Sequence, residues 1–167
     1  MDWLQALILG LVQGLTEFLP VSSSGHLAIG RAVLGVEASE DLVFEVTVHA
    51  ATVLATILVF RKQIGGLLAG LFKFKYNDET DYILKICVSM IPVFVVGVFL
   101  KDYVENLFSS LYVVGAALLV TAALLFFSDR RSKPAAESAP SVRNGISWWQ
   151  ALVIGLGQAV AVLPGLS

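Results

Sequence analysis

The chain has 167 residues, 57% of them hydrophobic and 14% charged, with a formal net charge of −2 and a mean hydropathy of +0.82. Soluble domains carry about 25% charged residues, so this composition excludes an ordinary water-soluble fold. Without a basic tract there is no sign of a nucleic-acid partner. A single cysteine, Cys87, excludes an intrachain disulfide or a cysteine-built metal cluster.

The opening Met-Asp-Trp lacks the basic region and cleavage site of a secretory signal peptide. Trp3–Leu19 is apolar but interrupted by Gln5, Gln13, Thr16 and Glu17, and Pro20 ends it. After Val21-Ser22-Ser23-Ser24-Gly25 comes a short helical segment, His26–Leu34, too short to cross a bilayer, which takes about 20 apolar residues. Residues 3–35 are therefore expected to form a re-entrant helical hairpin, with the irregular loop buried in protein or lining a wet cavity.

Residues 42–127 hold three segments of spanning length: Leu42–Phe60, Tyr82–Leu100 and Leu107–Phe127. Arg61, Lys62, Lys73 and Lys75 follow the first segment, and Arg130, Arg131, Lys133 and Arg143 follow the third. The loop after the second has only Lys101 as a base, beside Asp102 and Glu105. The positive-inside rule thus predicts Arg61–Asp81 and Ser128–Ser147 on the cytoplasmic side. Glu37, Glu40 and Asp41 then face outside, and residues 128–147 read as a cytoplasmic linker.

Residues 148–167 repeat the start of the chain: Trp3–Gln13 (WLQALILGLVQ) and Trp148–Gln158 (WWQALVIGLGQ) agree at seven of eleven positions. Three crossings between the copies turn the second one over, the signature of an inverted-topology repeat with its site between the copies. The predicted fold class is an all-α integral membrane protein: a re-entrant hairpin, three transmembrane helices and the start of a second re-entrant hairpin. The second copy looks incomplete, and a full repeat of this design would run on for roughly another hundred residues. Residues 1–167 are therefore expected to be a single membrane domain fragment.

Gln13 and Glu17 are four residues apart and share a helix face. An ionisable residue at membrane depth is costly, and function is its default explanation. Beyond Glu17, Ser22, Ser23, Ser24 and Gly25 lead into a helix start, where free N–H groups and a partial positive charge suit a phosphate. Glu17 would hold a metal or a proton, the loop would hold phosphate, and His26 or Ser23 would attack phosphorus. The bland alternative is that the serines and Gln13 only pack helices together. Glu45 and His49, at i and i+4, read as a packing pair as readily as a relay. Arg31 could meet a phosphate of a ligand, but snorkelling to the interface is the commoner explanation.

Gln13-Gly-Leu-Thr-Glu17-Phe-Leu-Pro20-Val-Ser22-Ser23-Ser24-Gly25-His26 resembles the first signature of the bacterial undecaprenyl-diphosphate phosphatases of the BacA type. That signature is (Glu/Gln)-x-x-x-Glu, a serine run and a His; Gln13 and Glu17 fit its Gln form. Pro164-Gly165-Leu166-Ser167 resembles the start of the family's second motif, Pro-Gly-x-Ser-Arg-Ser, of which the Arg and last Ser are not in this sequence. The resemblance implies hydrolysis of undecaprenyl diphosphate to the monophosphate and phosphate, which recycles the cell-wall lipid carrier and confers bacitracin tolerance. It also implies catalytic Glu17, His26 and Ser23, phosphate contacts from Ser22, Ser24, Gly25, Gly165 and Ser167, and Mg²⁺ or Ca²⁺ held by Glu17 and Gln13. The partners implied are the membrane and a polyprenyl diphosphate lipid, and a homodimer is compatible with the sequence. The expected location is the bacterial inner membrane, multi-pass, with the site opening outward.

Three rivals remain. A lipid-phosphate transporter or flippase would share the inverted repeat but leave the diphosphate intact. A type-2 phosphatidic acid phosphatase is suggested by Ser24-Gly25-His26 but lacks its other motifs. A membrane scaffold would leave Glu17 unexplained.

Overall fold

The computed structural model describes residues 1–36, 42–100, 103–104, 110–131, 146–163 and 165–166. Expectations for Glu37, Glu40, Asp41, Lys101, Asp102, Glu105, the stretch 132–145, Pro164 and Ser167 lie outside these residues. The described chain is all-helical: α1 (Trp3–Thr16), α2 (Ser23–Leu34), α3 (Leu42–Val59), α4 (Arg61–Leu71), α5 (Asp78–Phe99), α6 (Leu111–Arg131) and α7 (Trp148–Val160).

The helix ends follow local chemistry. Asp2 caps α1 and Ser147 caps α7, each in a capping box completed by Gln5 and Gln150 respectively. The two ends of the sequence repeat thus start their helices by the same reciprocal bonds. Gly35, at φ 66, closes α2 in the left-handed conformation that glycine adopts without penalty. Asn77 caps α5 through Thr80 N–H and reaches back to the Gly70 carbonyl at 2.9 Å, which ties α4 to α5.

By length and apolarity α5 and α6 can each cross a bilayer. A third crossing exists if α3 and α4, which meet at a 78° bend, count as one broken span. Their apolar side chains face outward: Leu58, Phe94, Val98, Leu119 and Leu124 are all exposed. A surface this apolar has no stable place in water, so these helices belong in lipid. The chain is a multi-pass membrane protein.

Between the first two expected spans the chain forms a further helix, α4, that was not among the expected elements. Ile64, Leu67, Leu68 and Leu71 recur at helical spacing, and Gly70 lets the Glu79 side chain pack where a Cβ would stand.

Two packings position the rest. Helix α7 lies tightly on α5: a Cβ at Gly155 would come within 2.9 Å of Ser89 Cα, so only glycine permits this approach. Helices α1 and α2 pack on each other, α3 lies against α1, and α6 lies against α2. Leu9, Leu27 and Val114 are wholly buried in that second cluster.

Candidate active site

The site is built at the turn between α1 and α2. Helix α1 ends with Glu17 at its C-cap, one turn after Gln13, so the two side chains meet: Gln13 Nε2 donates to Glu17 Oε2 at 2.8 Å. Helix α2 starts at Ser23, three residues earlier than the sequence suggests, because Ser22 caps it through Gly25 N–H. Ser22 is a non-glycine residue at φ 62 and is 1% exposed. A left-handed serine costs of order 1–3 kcal/mol and persists only when its surroundings hold it.

That turn aims Ser23 back at α1. Its hydroxyl donates to Glu17 Oε2 at 2.6 Å, onto the same oxygen that Gln13 approaches. Ser22 and Ser24 hydroxyls lie 3.3 Å apart. His26 Nδ1 lies 2.8 Å from the Ser22 carbonyl. Since a carbonyl only accepts, Nδ1 carries the proton, and the Nε2 of a neutral His26 has no hydrogen bond to another described residue. Ser23 and Ser24 occupy the first turn of α2, where backbone N–H groups have no intrahelical partner.

Gly25 and Gly165 bring the two signature stretches into contact. A Cβ on Gly25 would sit 3.1 Å from Gly165 Cα and from Leu118 Cδ2. Gly165, at φ 85, is seated on α6, and Thr121 Oγ1 donates to its carbonyl at 2.8 Å. Thr121→Val is expected to leave that buried carbonyl unsatisfied. The cost would be about 1–3 kcal/mol, read as a lower thermal midpoint in detergent.

A cavity of about 310 Å³ opens beside Glu17, lined by Phe18 and by Thr52, Val53, Thr56 and Ile57 of α3. The threonines were missed in the sequence because hydroxyls in a spanning helix ordinarily bond their own backbone. These do so too, Thr52 to the His49 carbonyl and Thr56 to the Thr52 carbonyl.

The residues set aside pair differently than expected. His49 Nδ1 bonds the Glu45 backbone carbonyl at 2.8 Å, not its carboxylate. That carboxylate instead meets Arg31, with Nη2 to Oε1 at 2.6 Å, close as an ion pair though without hydrogen-bond alignment. Arg31 is therefore an inward tie from α2 to α3, its side chain only 13% exposed, and does not snorkel.

Among the described residues no three His, Cys, Asp or Glu side chains cluster as a metal site. The oxygens of Glu17 and Gln13 still suit a hard cation, since Gln13 Oε1 is buried without a hydrogen-bond partner.

With this geometry in hand, a family model described as bacitracin resistance protein BacA matches residues 6–167. The chain belongs to the BacA family. It is 55% identical across its whole length to an undecaprenyl-diphosphatase of Bacteroides thetaiotaomicron, covering 61% of that protein. An undecaprenyl-diphosphatase of Parabacteroides distasonis is also 55% identical, with 60% of it covered. One of Methanococcus maripaludis is 38% identical over 98% of this chain and 63% of its own. The chain thus spans about three fifths of the length of these curated relatives.

Proposed function

We infer that the chain carries the first half-site of a phosphoanhydride hydrolase that converts undecaprenyl diphosphate to undecaprenyl phosphate and phosphate. In a bacterium this regenerates the lipid carrier of cell-wall synthesis and opposes bacitracin. The observation that carries the reading is the single carboxylate oxygen of Glu17 receiving Ser23 Oγ–H at 2.6 Å. A hydroxyl whose proton already has a basic acceptor is the arrangement of an activated nucleophile.

In this reading Ser23 attacks the terminal phosphorus, Glu17 takes its proton, and the bridging P–O bond breaks with undecaprenyl phosphate leaving; water then cleaves the phosphoserine, which releases phosphate and restores the Ser23 hydroxyl. Ser24, Gly25 and the free N–H groups of the first turn of α2 hold the phosphate, as a helix start favours an anion. The strained Ser22 fixes the turn, and His26, whose Nδ1 is held by the Ser22 carbonyl, serves the phosphate through Nε2 from the same turn. Gly165 brings the second motif to Gly25, and Ser167 belongs to that motif. Mg²⁺ or Ca²⁺ would be held by Glu17 and Gln13, and when bound it would offset charge on the phosphate oxygens.

The finer topology belongs to the same reading. Helices α1 and α2 form a re-entrant hairpin, and α7 begins its inverted counterpart. Basic residues beside α4 and after α6 set those ends in the cytoplasm of a bacterial inner membrane. The site then opens outward. An apolar groove of about 800 Å³ between α5 and α7, lined by Met90, Ile91 and Phe94, suits part of the polyprenyl chain.

The test is phosphate release from undecaprenyl diphosphate in detergent with Mg²⁺. It compares this chain with a chimera extended by the remaining part of the Bacteroides thetaiotaomicron relative. Release by the chimera is the expected result. A folded chimera that binds the lipid yet releases no phosphate with any divalent ion would overturn the hydrolase reading and favour a lipid-phosphate transporter.

A further inference from the structure

We propose that α4 lies flat in the membrane–water interface and holds anionic phospholipid head groups at its two ends, through Arg61 with Lys62 and through Lys73 with Lys75. This goes beyond the phosphatase reading and does not depend on it.

Direction comes first. The chain leaves α3 through a 78° bend, so with α3 crossing the bilayer α4 runs nearly along its surface. The Asn77 bond to the Gly70 carbonyl and the Glu79 side chain packed at Gly70 hold α4 against α5 in that direction.

Depth follows from the apolar side chains. Ile64, Leu67 and Leu71 are half-buried and recur on one face of the helix. Leu68 and Phe72, one turn apart on a neighbouring face, are exposed, and Phe74 is 89% exposed. The Phe72 and Phe74 rings meet edge to face at 6.5 Å and form one apolar wedge. Phe74 stands at φ 50, a left-handed backbone that a bulky residue rarely adopts. Burial of its ring among acyl chains offsets that strain, and exposure to water would not.

Charge names the partner. From Arg61 to Asn77 the chain has four bases and no acid. Among the described residues Lys62, Lys73 and Lys75 have no acidic partner, and Arg61 gives a donor to the Leu58 carbonyl. Elsewhere the same chain pairs its bases, Arg31 with Glu45 and Lys85 with Asp81. The acids that follow α4 are engaged at the head of α5. Asp81 is taken by Lys85 and Tyr76, and Asp78 and Glu79 stand at the positive end of that helix. Four unpaired bases beside an apolar wedge fit a phospholipid surface, where each base adds about fivefold to binding. The two pairs are about 16 Å apart by the rise of an eleven-residue helix, so each takes its own head group. A soluble anion would meet the bases but leave the wedge in water.

The test titrates this chain in non-ionic detergent with phosphatidylglycerol and, separately, with phosphatidylcholine of the same acyl chains. Bound lipid is counted by native mass spectrometry. Phosphatidylglycerol is expected to bind at least about fivefold tighter, the worth of one base near the surface. Equal binding of the two lipids overturns the proposal. Arg61→Gln/Lys62→Gln/Lys73→Gln/Lys75→Gln changes only exposed positions and is expected to abolish the preference with an unchanged circular dichroism spectrum. The head pair and the tail pair, substituted separately, are each expected to remove one of two bound lipids, which keeps the test open should the fourfold variant misfold. Arg130→Gln/Arg131→Gln, at the end of α6, is expected to change the preference less. A preference that survives loss of the α4 bases, or that falls only with the α6 bases, overturns the site. Phe72→Ser/Phe74→Ser keeps every base and is expected to weaken phosphatidylglycerol binding severalfold; unchanged binding overturns the wedge and with it the interfacial seat.

Discussion

Replacing Glu17 by glutamine in the extended chimera is expected to lower phosphate release by about 10²- to 10⁴-fold, the range contributed by a positioned acid–base group. Glutamine keeps the length of the side chain, and its amide oxygen can still accept from Ser23 Oγ, whose present distance to Glu17 is 2.6 Å. What it loses is the capacity to take the serine proton and the negative charge facing α3. Ser23→Ala is expected to cost as much, and the double variant little more than either single one, because a nucleophile and its base act as a unit. Additive losses would mean that the two side chains do not work on the same step. The trapped phosphoenzyme discriminates further, since phosphoserine survives acid and is cleaved in alkali, while phosphohistidine behaves oppositely. Acid-stable label in wild type supports Ser23, and acid-labile label moves the attack to His26.

Much of this site is local and was readable from the sequence. Gln13 and Glu17 had to share a face if α1 was a helix, and they are hydrogen-bonded. A capping serine before a glycine-containing segment pointed to a helix start, although that start lies at Ser23 and not at His26. Helix α4 was equally legible, since the apolar spacing at Ile64, Leu67, Leu68 and Leu71 is helical, yet its basic head served in the sequence only to set the sidedness of the stretch. What the sequence withheld is tertiary. Arg31 and Glu45 are fourteen residues apart in sequence, and the identities of those residues do not reveal their ion pair. Thr52 and Thr56 look like any hydroxyls in a spanning helix until α3 is placed beside Glu17. The meeting of Gly25 with Gly165 likewise depends on α6 carrying both, through Leu118 on one side and Val114, Ala117 and Thr121 on the other.

That meeting point carries the largest expected effect on stability. Gly165→Ala places a side chain on a backbone at φ 85 and sets its Cβ 2.7 Å from the Val114 carbonyl oxygen and 2.9 Å from Ala117 Cβ. A left-handed non-glycine residue costs about 1–2 kcal/mol by itself, and neither the α6 backbone nor the alanine methyl can swing aside. The total is expected to exceed about 2 kcal/mol, seen as a clear fall in the thermal midpoint in detergent. Gly10→Ala is the matched control: nothing lies within 4 Å of its Cβ position, and in mid-helix the change is expected to stabilise by about 0.5–1 kcal/mol. If both substitutions behave alike, the close seat of Gly165 on α6 is wrong, and with it the contact that joins the two signature stretches. If they diverge as expected, the Gly165 variant should lose phosphate release beyond what its stability explains. Gly25 is packed 3.1 Å from Gly165 Cα by the measure of its absent Cβ. A displaced Gly165 therefore pushes on the first turn of α2, where Ser23 is held against Glu17.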